Sequence, residues 1–510
     1  MKKKNLADLP EVKPPALARL ATGNDGLDSI LEGGFPANRL YLVEGDPGTG
    51  KTTLALKFLL ESVAAGEPVL YVTLSETKEE LISVADSHGW SLDGVNIYEL
   101  IPSEESLKTE TQYTIFHPSE VELGETTSAV LEEVERIKPR RVVFDSLSEM
   151  RLLARDPLRY RRQILGLKQY FSGRQCTVVL LDDRTSTLGD LQVQSIAHGV
   201  LELEHMALEY GAERRRLRVV KLRGSRYRGG YHDFNIETGG IAVYPRLIAA
   251  EHRVEFTREA VTSGVREMDA LLGGGLDRGT STLILGPAGS GKSSIAAQFV
   301  AAAAERGEHA ASFLFDEGRD TYLSRAAGLG KDMREQVEAG QLSVQQVDPA
   351  ELSPGEFAHR VRSSVVHDGA RIVVIDSLNG YLQSMPDERF LTVQMHELLT
   401  YLNQQGVVTI LVMAQHGFMG SNMNSPVDVS YLADAVLMLR FFEAAGAVRR
   451  AISVVKKRTG FHENTIREMR LSSEGVTVGD PLSDFQGVLT GIPVYSKSLA
   501  SLLKEGDADA

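Results

Sequence analysis

Two kinds of segment alternate along this chain. Short apolar runs rich in β-branched residues, LYLVEG (40–45), PVLYVTLSE (68–76), RVVFDS (141–146) and CTVVLLDD (176–183), read as strands buried on both faces. Longer stretches between them, such as TTLALKFLLESVAA (52–65), predict helices. This strand–helix alternation predicts an α/β fold, with a mainly parallel sheet sandwiched by helices. Further on, HDFNIETGGIAVYP (232–245) places Thr-Gly-Gly between two runs and predicts a closing hairpin.

The pattern is written twice. TGNDGLDSILEGGFPANRLYLVEGDPGTGK (22–51) returns as SGVREMDALLGGGLDRGTSTLILGPAGSGK (263–292). Asp28 and Asp269, Gly34 and Gly275, Lys51 and Lys292, and Glu76 and Glu317 are all offset by 241 residues. Later pairs, Asp145 with Asp376 (231) and Lys221 with Lys456 (235), differ only through loop insertions. So long a period marks a duplicated domain rather than a solenoid. The second copy repeats the strands as STLILG, HAASFLFDE, RIVVIDS and VVTILVMA. The expected division is 1–247, 248–490 and a tail, 491–510, with the boundary near 247–262.

Composition narrows the function classes. The chain has 510 residues, 42% hydrophobic and 24% charged, as an ordinary globular protein has. Its one cysteine, Cys176, lies in an apolar run and reads as a buried thiol, so no intramolecular disulfide is possible. No apolar stretch follows the basic N-terminus, and none elsewhere is long enough to span a bilayer, so a cytoplasmic protein without a membrane segment is expected. The net charge of −14 argues against a nucleic-acid partner.

Each copy carries a glycine loop between a strand and a helix. Residues 45–52 (GDPGTGKT) and 286–293 (GPAGSGKS) both fit GxxxxGK[ST]. Glycines at this spacing let backbone N–H groups converge on a phosphate, while the following helix turns its positive end to the anion. Gly45, Gly48, Thr49, Gly50, Lys51, Thr52 and Thr53 are therefore expected to bind ATP. Gly286, Gly289, Ser290, Gly291, Lys292, Ser293 and Ser294 form the second set. Lys51 and Lys292 should reach the β- and γ-phosphates, and Thr52 and Ser293 should offer a hydroxyl to Mg²⁺.

Carboxylates and cations complete the candidate chemistry. Asp145 and Asp376 each end an apolar strand, where a carboxylate can hold Mg²⁺ through water or simply cap a turn. Glu76 and Glu317 end the strand after the P-loop helix; Asp316 precedes Glu317, whereas Ser75 precedes Glu76. Lys221 with Arg223, and Lys456 with Arg458, alternate along late strands, so each pair is expected on one face. Recurrence in both copies favours phosphate contact over a solvated edge charge. The 12 histidines form no Cys/His cluster with metal-ligand spacing, so Mg²⁺ with the nucleotide is the metal expected.

Taken together these motifs resemble the KaiC family of circadian clock ATPases, in the RecA/RadA superfamily, over nearly the whole chain. The resemblance rests on the tandem P-loops, VTLSET (72–77), Gly89-Trp90, VVFDSLS (142–148), VVKLRG (219–224), DSLNGYL (376–382), HGFMGSN (416–422) and TIREM (465–469). It implies two tandem RecA-like P-loop NTPase domains, with Glu76 and Glu317 orienting the attacking water. It also implies a homohexamer of two stacked rings, ATP between neighbours, and Lys221, Arg223, Lys456 and Arg458 acting in trans. Small regulatory partners of the KaiB type come with it. Two departures matter. The family's paired glutamates read Ser75-Glu76 in the first copy, with one carboxylate left, and Asp316-Glu317 in the second. The family's Ser-Thr autophosphorylation pair aligns with Ser430-Tyr431, and an upstream Thr with Ser425. With Asp316 as base, the resemblance leaves Ser430 as a single phosphosite and argues against an ordered two-site cycle. Two other readings share the P-loops: a RecA/RadA-like DNA-dependent ATPase, and a nucleotide-assembled scaffold with little turnover.

Overall fold

The computed structural model describes residues 18–100, 118–154, 156–184, 192–208, 210–383, 391–415, 432–444, 446–489 and 494–495. The chain divides into two compact units, Met1–Glu209 with Glu213–Arg246, and Tyr210–Ala212 with Leu247–Ala510.

Among the described residues the first unit holds a nine-stranded sheet. Its strands are β1 (Leu40–Gly45), β2 (Val69–Thr73), β3 (Val95–Glu99), β4 (Arg141–Asp145), β5 (Thr177–Asp183), β6 (Gly199–Met206), β7 (Arg214–Leu222), β8 (Tyr231–Glu237) and β9 (Gly240–Tyr244). The order across the sheet is β3-β2-β4-β5-β1-β6-β7-β8-β9. The first six strands in that order run parallel. The last three are added antiparallel, ending in the expected hairpin β8–β9.

Strand side chains alternate between two cores, as the two-residue period requires. Tyr41, Val43, Val143, Val179 and Leu181 pack with Leu54, Phe58 and Leu59 of the P-loop helix, Lys51–Ala64. Leu40, Leu42, Val142, Phe144, Val178 and Leu180 face the other layer, with Tyr160 and Ile164 of the helix Pro157–Phe171. Burial on both sides explains why these strands read as continuous apolar runs; each such side chain contributes roughly 1.5–3 kcal/mol relative to exposure. Cys176 belongs to the second core, and burial pushes its thiol up to about 12.

The second unit repeats the plan. Its strands are β10 (Ser281–Gly286), β11 (Ala310–Leu314), β12 (Leu342–Gln346), β13 (Ile372–Asp376), β14 (Val408–Ala414), β15 (Ala435–Ala444), β16 (Ala447–Lys457), β17 (Ile466–Ser472) and β18 (Gly475–Pro481). The order β12-β11-β13-β14-β10-β15-β16-β17-β18 matches the first sheet strand for strand. Its P-loop helix, Lys292–Glu305, is alanine-rich, which favours the helix intrinsically, and it buries Ile295, Phe299 and Val300. In both units the P-loop strand is flanked by one strand reached through earlier crossovers and one reached afterwards. That places the carboxyl end of β1, and of β10, at a topological switch point where such sheets bind ligands. No helix among the described residues is long and apolar enough to cross a membrane.

Candidate nucleotide sites

The first glycine loop runs from the end of β1 into the helix that begins at Lys51. Gly50, just before the helix, has φ of 90°, and a Cβ there would meet Ile236 Cδ1 at 2.8 Å. At Gly45 a Cβ would approach the Leu203 carbonyl oxygen to 2.5 Å. Only glycine fits either place. The Thr49 hydroxyl donates to the Asp46 carbonyl at 2.8 Å and is wholly buried beneath the loop. Thr53 lies on the helix, its hydroxyl 3.4 Å from His88 Nε2. Lys51 Nζ donates to the Gly45 and Asp46 carbonyls, both at 2.9 Å, and pairs with Asp183 Oδ1 at 2.8 Å.

Carboxylates converge on this loop. Asp145 closes β4 and accepts hydrogen bonds from Thr52, at 3.2 Å, and from the Tyr71 hydroxyl. Burial raises its proton affinity, and the two hydrogen bonds oppose that rise. The apolar run places Glu76 at a strand end, but β2 stops at Thr73. The Thr73 hydroxyl accepts from the Glu76 amide at 3.0 Å and donates to its carbonyl at 2.6 Å, folding the chain into a turn. Burial raises the Glu76 carboxyl, and the Asp145 charge adds to it while Lys51 offsets it. Its Oε2 is buried with no hydrogen-bond partner among the described residues.

The second loop has the same backbone and different neighbours. Gly291 has φ of 101°, and a Cβ there would come within 2.9 Å of the Met469 side chain. Ser290 and Ser294 are buried, and the Ser290 hydroxyl has no partner among the described residues. Lys292 donates to the Pro287 carbonyl at 2.8 Å. Burial pulls its pKa down, against the attraction of Asp376 and Asp316. Asp376 closes β13, and burial pushes it up to about 6 even though Ser293 hydrogen-bonds to it. Its Oδ2 is buried and unpaired among the described residues. Asp316 accepts from the Ser377 hydroxyl. Glu317 again lies beyond its strand, which ends at Leu314, and is ion-paired with Arg325. A cavity of about 530 Å³ opens here, lined by Gly289, Gly291, Lys292, Ser293, Arg325 and Leu471 among others.

The basic pairs do not join their own loops. Lys221 sits opposite Val200, which pairs with Leu42, three residues before Gly45. Lys456 sits opposite Val436, which pairs with Leu283, three residues before Gly286. Each pair straddles a strand end rather than lying within it, since β7 stops at Leu222 and β16 at Lys457. Lys221 donates to the Gln194 carbonyl and Arg223 to the Ser195 carbonyl at 2.7 Å. Lys456 donates to the Ala433 carbonyl at 2.7 Å, and Arg458 lies 3.5 Å from Asp434. Both pairs therefore lie toward the amino half of a sheet whose carboxyl edge carries the loop. Ser425, Ser430 and Tyr431 lie outside the described residues.

Three site residues escaped the reading of the sequence: Asp183, Tyr71 and Arg325. Asp183 becomes a neighbour of Lys51 only because β5 lies beside β1, a pairing that no local pattern encodes. Arg325 had one available signal, since its counterpart at the repeat offset is Val84.

Both cradles suit a magnesium-bound nucleotide in their chemistry: paired glycine loops, a lysine, a hydroxyl, and a buried strand-end carboxylate. The family model described as "ATPase: KaiC" matches residues 20–248 and again 261–483. Curated relatives match nearly end to end. The circadian clock oscillator protein KaiC of Synechococcus elongatus is 27% identical over 487 residues, covering 94% of this chain and 92% of its own. That of Acaryochloris marina is 26% identical over 509 residues, with coverages of 97% and 95%. KaiC 1 of Synechocystis is 26% identical, with coverages of 99% and 98%. Matched twice over by one family model, this chain belongs to the KaiC family of ATPases.

Proposed function

We infer that the chain binds and hydrolyses ATP at two sites per polypeptide, one in each of the domains 1–247 and 248–490, and works as a homo-oligomer with subunits sharing their sites. One observation carries the reading: in both units a glycine loop with its lysine and a strand-end aspartate share the carboxyl edge of the sheet, while the basic pair lies toward the other. Lys51 and Lys292, with the loop amides, hold the triphosphate. Glu76 and Glu317 orient the attacking water, and their turns set them beside the strand-end aspartates. Mg²⁺ neutralises charge on the β- and γ-oxygens when bound; Thr52 with Asp145, and Ser293 with Asp376, are the residues that would hold it. Lys221, Arg223, Lys456 and Arg458 stabilise phosphate charge in a neighbouring subunit, as an arginine finger does. A two-ringed hexamer, as in the family resemblance, satisfies that requirement. Serine autophosphorylation at Ser430, with Asp316 as base, and small regulatory protein partners extend the reading.

The test is particle mass and nucleotide content with and without Mg·ATP, together with ADP release in the absence of DNA and phosphosite mapping. Two bound nucleotides per chain and DNA-independent turnover are expected. Lys51→Ala and Lys292→Ala should each abolish one of the two. Fewer than two nucleotides in the unmutated protein at saturation would overturn the reading, and an unmodified 420–435 segment would remove its kinase part.

A further inference from the structure

The two P-loop lysines meet different electrostatic surroundings, and the difference lies at one position. Asp183 closes β5 directly opposite Gly45, the first residue of the glycine loop. Its carboxylate stands 2.8 Å from the Lys51 ammonium, which is itself only 8% exposed. In the second unit the residue opposite Gly286 is Ala414. Among the described residues no carboxylate lies within ion-pair distance of Lys292, which is held by the Pro287 carbonyl. The first site thus holds a carboxylate in direct contact with the cation that a phosphate needs, whereas in the second Asp376 and Asp316 act on Lys292 only from beyond ion-pair distance.

We propose that Asp183 is an affinity-setting residue of the first site, an internal competitor that a triphosphate must displace from Lys51. The inference rests on the reading that Lys51 grips phosphate. An anion entering the first site breaks an existing charge-assisted contact and arrives beside a carboxylate of like sign. An anion entering the second site instead supplies a counter-charge to a desolvated ammonium. The same sequence difference therefore orders the two sites: the second fills at lower ATP, and the first fills only when nucleotide is plentiful. Asp183 also makes the first site selective for nucleotide that brings a cation with it, since bound Mg²⁺ offsets the repulsion between carboxylate and phosphate.

The experiment uses the full chain and a fluorescent, non-hydrolysable ATP analogue with Mg²⁺. With Lys292→Ala silencing the second site, Asp183→Asn should tighten binding at the first by about five- to tenfold. It should also narrow the gap in affinity between Mg²⁺-replete and Mg²⁺-free analogue. With Lys51→Ala silencing the first site, Ala414→Asp should weaken the second by a similar factor. A structural role for Asp183 predicts the opposite sign, because removing a stabilising ion pair loosens the loop. Unchanged or weaker binding by Asp183→Asn, in protein that still melts cooperatively, overturns the proposal. Should that variant fail to fold, Ala414→Asp decides alone, and unchanged affinity there overturns it. If the double variant Lys51→Ala/Lys292→Ala binds the analogue as well as the unmutated protein, the P-loop reading itself fails and the proposal falls with it. If the double variant is silent, a null result at Asp183 sinks only the competitor role.

Discussion

The first and second sites restrain opposite members of the same machinery. In the first, Asp183 ties down the lysine while Glu76 keeps a buried carboxylate oxygen unpaired among the described residues. In the second, Arg325 ties down the glutamate while Lys292, among the described residues, donates to a backbone carbonyl and forms no ion pair. The strand-end aspartates differ too. Asp145 has the Tyr71 hydroxyl, whereas the corresponding position in the second copy is Ser312, whose hydroxyl lies 3.4 Å from that of Tyr322. Behind each loop the contrast widens. Glu44 lies opposite Glu202, and Glu202 pairs with Arg184 and Arg218. The matching register positions in the second sheet are Leu285, Met438 and Ser453. A duplicated backbone has kept its phosphate cradle and exchanged the charges around it.

The largest expected effect comes from the glutamates. In Lys51→Ala and Lys292→Ala backgrounds that isolate each site, Glu317→Gln and Glu76→Gln should each lower ADP release about a hundredfold. Arg325→Val, copying Val84, should raise second-site turnover if the arginine restrains Glu317; no change would break the proposed asymmetry. Next comes the ionic cluster. Glu202→Met strands two arginines that are about half exposed, 45% and 41%, and should destabilise the first unit in urea melts. The loss should be about 1–2 kcal/mol, well below that of a fully buried broken pair. Adding Glu44→Leu and Arg218→Ser, the second unit's residues, should recover most of it. The smallest effect concerns pH. Without Mg²⁺ and nucleotide, folded Asp376 keeps its proton up to about pH 6, whereas the unfolded group releases it near 3.8. The folded state binds more protons across that window, so stability is greatest at its acid end and declines as pH rises through 6. Unmutated protein and Asp376→Asn should therefore diverge by on the order of 1 kcal/mol between pH 4 and 7. Parallel pH profiles for the two would remove that contrast.

The duplication, both loops and the strand-end aspartates were legible because each is local: a strand, a glycine spacing and a helix in immediate succession. Positions defined by distant pairing were not. Asp183 looked like the tail of an apolar run until β5 was placed beside β1. The apolar runs carry Glu76 and Glu317 at their ends, but each strand stops earlier, and in the first copy the Thr73 hydroxyl turns the chain by bonding to the backbone of Glu76. Alternation along the sequence places the basic pairs within strands, yet each sits where a strand is finishing, and only the register gives their level in the sheet.

That position has a consequence of its own. Level with Leu42 and Leu283, Lys221 and Lys456 stand three residues, roughly 10 Å of extended chain, before the first glycine of each loop. Their ammonium groups are turned to the carbonyls of Gln194 and Ala433, so within one chain these cations do not reach the loop of their own sheet. If subunits share their sites as proposed above, damage in one copy is felt by its neighbours rather than confined to the chain that carries it.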